Sequence, residues 1–128
     1  MRYGAMNFPI KPVLKEIKAL AGMGFDYVEL SLDAPQAHYS QVLNRLDEIR
    51  RLLDTHAMGL VCHLPTFVLT ADLTPGIRRA SRQEMARSLA AAHALSAEKV
   101  VVHPSMISGL GPFVMDLAKQ YAQESLQM

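Results

Sequence analysis

Two short hydrophobic runs in this chain end in the same way. Gly59-Leu60-Val61-Cys62-His63 is followed by Leu64-Pro65, and Lys99-Val100-Val101-Val102-His103 by Pro104. Each reads as a buried parallel strand with a histidine at its C-terminal end, where α/β proteins hold ligands and do chemistry. Neutral imidazole is a good ligand for Zn, Mn, Fe or Ni and an acid or base near neutral pH. Two of them on neighbouring strands point to a metal or anion site. Strand alternation adds a carboxylate. With a strand over Phe25–Leu32, Tyr27 and Glu29 share the face of Val61 and His63 and of Val101 and His103. A carboxylate on an interior face is costly unless it is paired or metal-bound. Glu29, His63 and His103 are therefore the candidate metal ligands, and Glu29 and His103 the candidate acid/base catalysts.

Each of these residues also has a plainer reading. The histidines and Glu29 can hydrogen-bond to neighbouring strand ends. Asn7 and Asp33 follow the first two strands and reach the same rim, where turn formation also accounts for them. Arg78 and Arg79 follow a long loop near a helix N-terminus, a place suited to phosphate. Asn7 and Arg78 are the candidate substrate-binding residues. His38, His56 and His93 read as surface or packing residues, and Cys62 as a small buried hydrophobe facing the helices.

The elements that position these groups alternate. Arg2–Met6 is a short strand, and Pro12 opens a helix carrying Val13, Leu14, Ile17, Leu20 and Ala21, ended by Gly22 and Gly24. After the strand Phe25–Leu32, Ser40 is the expected N-cap of one helix. Its apolar stripe runs from Val42 through Leu46 and Ile49 to Leu53. Leu60–His63 is the third strand and Pro65–Gly76 a longer loop. Ser81 and Glu84 have capping-box spacing, with a start near Ile77 as the alternative. Lys99–His103 is the fourth strand, Ser105–Pro112 a loop, and a last helix carries Phe113, Val114, Leu117, Ala118 and Tyr121. Such alternation implies a parallel sheet with right-handed crossovers.

Composition narrows the classes. The 128 residues form one domain, 1–128, without linker or low-complexity segment; 50% are hydrophobic and 20% charged, a globular balance. A net charge of +1 argues against nucleic acid as partner. A single cysteine excludes an internal disulfide and fits a reducing compartment. No signal-peptide core precedes the first strand, and no apolar run approaches the roughly 20 residues of a membrane span. A cytoplasmic location is the expectation.

Four pieces, in order, carry a resemblance: Gly24-Phe25-Asp26-Tyr27-Val28-Glu29-Leu30, Val61-Cys62-His63-Leu64-Pro65, Ile77-Arg78-Arg79-Ala80-Ser81 and Val100-Val101-Val102-His103-Pro104. From about Tyr3 onward the chain resembles the N-terminal half of the xylose isomerase-like (β/α)8 superfamily. That group holds sugar-phosphate isomerases and epimerases and the endonuclease IV family. The resemblance implies half of a TIM barrel, α/β, with four strand-helix units. It implies a divalent metal, Zn or Mn, and a sugar or sugar phosphate as the small-molecule partner. In the isomerases the metal-binding carboxylates and histidine lie on later strands. In endonuclease IV-like members, histidines at the positions of His63 and His103 bind zinc, with a carboxylate partner on strand five.

Three functions follow as alternatives. The first is a metal-dependent sugar or sugar-phosphate isomerase or epimerase, with Glu29 or a histidine as acid/base. The second is phosphodiester hydrolysis at abasic DNA, which the two histidines favour and the near-neutral charge disfavours. The third is a non-catalytic half barrel that binds a metal or small ligand. Open strand edges and an open inner face predict association, with two copies completing an eight-stranded homodimer.

Overall fold

The computed structural model describes residues 1–107 and 109–127. Ser108, inside the expected Ser105–Pro112 loop, and Met128 lie outside the described residues. The elements run β1 (Gly4–Met6), α1 (Val13–Gly22), β2 (Tyr27–Ser31), α2 (Tyr39–Leu43), α3 (Leu46–Thr55), β3 (Gly59–His63), α4 (Pro75–Ala94), β4 (Lys99–Val101), a 3-10 turn (Gly111–Val114) and α5 (Met115–Leu126). The strands form one parallel sheet in the order β1-β2-β3-β4. This is half of a (β/α)8 barrel in strand order and direction.

Alternation along the strands separates two environments. Val28 and Leu30 of β2, with Leu60 and Cys62 of β3, turn toward the helices and join Ile17, Ile49, Leu53 and Met85 in one buried core. The opposite, concave face carries residues in layers. Gly4, Tyr27 and Gly59 are level; Met6, Glu29, Val61 and Lys99 come next; Ser31, His63 and Val101 lie nearest the C-terminal ends. Gly4 is required in its layer, because a Cβ there would collide with the Tyr27 ring. Gly24, with φ of 83°, makes the left-handed turn between α1 and β2. Beneath the layers, Arg2 donates to both carboxylate oxygens of Glu98, at 3.0 and 3.2 Å. The pair joins the N-terminal approaches of the two edge strands. Its hydrogen bonds hold the exposed Glu98 carboxyl below its usual range.

Four expectations change. The single helix from Ser40 to Leu53 is two helices, broken at Asn44–Arg45, where Arg45 has φ −123° and ψ 20°. Its N-cap is His38, whose ring accepts from the Ser40 backbone N–H. Ser81 caps nothing: α4 begins earlier, at Pro75, and the buried Ser81 hydroxyl accepts from the Leu69 N–H. The fourth strand ends at Val101, short of the expected His103, and the register sets His63 level with Val101. Among the described residues, no helix is long and apolar enough to cross a membrane.

Candidate active site at the strand ends

The carboxylate and the two histidines converge. Glu29 projects from the middle of β2 onto the concave face, and its Oε1 lies 2.7 Å from His63 Nδ1 at the end of β3. His63 Nε2 lies 2.9 Å from His103 Nε2, with the rings tilted at 44°. His103 stands two residues beyond β4. The equal parity of positions 101 and 103 keeps it on the His63 face although the strand has already ended.

The carboxylate fixes one proton. A carboxylate only accepts, so His63 donates Nδ1–H to Glu29. Between the two rings one Nε2–H donates to the other Nε2. Glu29 thus sets the tautomer and orientation of His63, as an outer carboxylate does for a metal-bound imidazole. With the proton of each neutral ring on Nδ1, two Nε2 lone pairs aim at one region. Two nitrogens each about 2.0–2.1 Å from one ion and at right angles to each other would stand roughly 3 Å apart. The imidazole pair therefore fits as part of a metal-ligand set. Among the described residues, no group of three or more histidines, cysteines or acidic residues is arranged to hold an ion.

The rim around this chain is held by further polar groups. Asn7 follows β1; its N–H donates to Glu29 O, and its buried Oδ1 accepts from the Ser31 N–H at 2.7 Å. Its Nδ2 is buried without a partner among the described residues. Asp33 accepts from Ser31 Oγ, Thr66 N and Thr66 Oγ1, tying the loop after β2 to the loop after β3. Arg78 stands apart. Its Nη1 donates to the Asp72 and Leu73 carbonyls, and its guanidinium stacks 3.7 Å from the Tyr121 ring centroid, in the groove between α4 and α5. Spacing could not have shown the pairing of Glu84 with His38 at 2.7 Å, because it joins residues 46 apart. His38 is a bridge between α2 and α4.

The xylose isomerase-like TIM barrel family model matches residues 17–127, and the chain belongs to that family. Among curated proteins, none matches significantly. A D-tagatose 3-epimerase-like protein has a similar structure, with TM-score 0.85, 20% identity, and coverage of 99% of this chain and 46% of that one. A 3-keto-D-glucoside 4-epimerase from E. coli aligns at TM-score 0.69 and 16% identity, over 99% of this chain and 49% of that one. D-psicose 3-epimerase from Clostridium cellulolyticum H10 aligns at 0.67 and 13%, over 99% and 48%. The chain spans about half the length of these relatives.

Proposed function

We propose that this chain is a single half-barrel domain of a divalent-metal-dependent sugar or sugar-phosphate isomerase or epimerase. The observation that carries the reading is the Glu29–His63–His103 chain at the C-terminal ends of the strands. The sugar epimerases among the similar structures support the substrate class. His63 and His103 would hold the metal, Zn or Mn, and Glu29 orients His63. When bound, the metal supplies polarisation of the substrate carbonyl or hydroxyl oxygens. Glu29, whose Oε1 is held by His63 and whose Oε2 makes no hydrogen bond among the described residues, receives a proton from the carbon next to the carbonyl and returns it. Asn7 and the Asp33-tied loops shape the rim that receives the sugar.

The open concave face gives this reading a partner. A second copy related by a two-fold along the barrel axis keeps all strands parallel, and sets β1 of each copy beside β4 of the other. Such a barrel brings both histidine chains to one mouth and adds ligands to each pair.

Deuterium exchange at carbon next to the carbonyl of D-tagatose, in D2O with added Mn or Zn, tests the reading. The chain is expected to catalyse exchange, and His103→Ala and His63→Ala to lower it by about 100-fold. Absence of both exchange and metal uptake in the unmodified protein overturns it. The imidazole pair also favours a second reading, endonuclease IV-like phosphodiester hydrolysis. Nicking of an abasic duplex without ketose exchange selects that reading instead.

A further inference from the structure

A second cavity lies away from the histidine chain. The loops after β1, β2 and β3 border an open cleft of about 420 Å³ beside α2 and α4, within the roughly 300–1,000 Å³ of small-molecule pockets. Its floor is apolar: Leu32 is fully buried and Val68 is 8% exposed. Ile10 and Phe67 stand over it with 58% and 76% exposure, apolar side chains without a packing partner to cover them. One edge is polar and carries Asp33, His38 and Glu84.

The hydrogen bonds along that edge leave one acceptor over. Both Asp33 oxygens are engaged by Ser31 and Thr66. His38 Nδ1 accepts from the Ser40 N–H at 3.4 Å and lies 2.8 Å from the Ser40 hydroxyl. Because a carboxylate only accepts, His38 Nε2–H donates to Glu84 Oε1 at 2.7 Å. Glu84 Oε2 has no hydrogen bond among the described residues, and the Glu84 side chain is 30% exposed. The lining includes no lysine or arginine. Lys11, next to Ile10, is directed to Glu16 at 3.6 Å. The two carboxylates against one imidazole leave the edge negative, with one free carboxylate oxygen beside an open apolar cleft.

We infer that this cavity binds a small primary ammonium compound with an apolar body of about one aromatic ring. The ammonium donates to Glu84 Oε2, and the body lies on Leu32 and Val68 beneath Phe67. Apolar walls lower the local dielectric and strengthen that charge-assisted bond. An anion of the same shape meets two carboxylates and is refused, and a neutral analogue lacks the charge that Glu84 selects.

The test is an NMR titration of the full chain with 2-phenylethylammonium. Saturable shifts of the Phe67 and His38 ring signals are expected, with 3-phenylpropionate producing none. Glu84→Gln keeps an acceptor for His38 Nε2 and removes the charge, so the fold stays intact while binding weakens about tenfold. Phe67→Ala, at an exposed position, weakens it severalfold. No saturation, equal binding of the anion, or unchanged affinity in Glu84→Gln overturns the inference.

Discussion

Cys62 and His63 are adjacent in sequence and opposite in fate. Alternation turns Cys62 into the helix-side core, where it is fully buried, and His63 onto the concave face beside Glu29. Burial pushes the Cys62 thiol from 9.0 up to about 12. The folded state therefore holds this proton more tightly than the unfolded one. Its contribution to stability is fully present below about pH 9 and is lost as pH rises toward 12. The expected outcome at pH 8 is a thiol that iodoacetamide does not label until denaturant is added, read by mass spectrometry. Rapid labelling of the native protein would contradict this burial. That the two run-ending histidines share one face was legible, because their spacing follows strand periodicity. The direction in which Glu29 meets His63 was not, because it depends on side-chain rotamers across two strands.

At the scale of elements, loop-to-helix contacts decide what the arginines and serines do. Arg78 resembled a phosphate ligand because it stands near a helix start after a long loop. In the fold it fastens that loop to α4 through the Asp72 and Leu73 carbonyls and stacks on Tyr121 of α5. Arg78→Ala is expected to lower stability by about 1–3 kcal/mol in urea unfolding. Hydrogen exchange of the loop residues 65–74 should quicken with it. A rise in KM for a sugar phosphate at unchanged stability would return Arg78 to a substrate role. The apolar stripe from Val42 to Leu53 was readable, but its break at Asn44–Arg45 was not. The stripe reports which face is buried, whereas the break follows from α2 packing on α4 and α3 on α1.

At the scale of the molecule, the sheet is covered on one face only. The concave side shows Met6 at 51% and Val101 at 36% exposure around the partly buried Val61, and both β1 and β4 are edges. Apolar surface beside unpaired strand edges favours association. Sedimentation velocity at micromolar concentration is expected to show a dimer. Val61→Glu, in the middle of the concave face, should give a monomer with unchanged helical circular dichroism. A monomeric unmodified chain would remove the second copy from the proposed barrel.

The sequence alone determined the strand-helix alternation, the parallel sheet, and which side of each strand meets the helices. These follow from periods of two and about 3.6 residues, which are local and survive without knowledge of neighbours. It also marked His63 and His103, since strand-end position is visible in the run itself. The tertiary structure decided the rest. It set His63 level with Val101 and let His103 reach back to it. It gave Glu29 the Nδ1 side of His63, tied Asp33 to Thr66, and joined His38 to Glu84. Those pairings depend on register, crossover length and helix docking, which are properties of the packed chain and of no single segment.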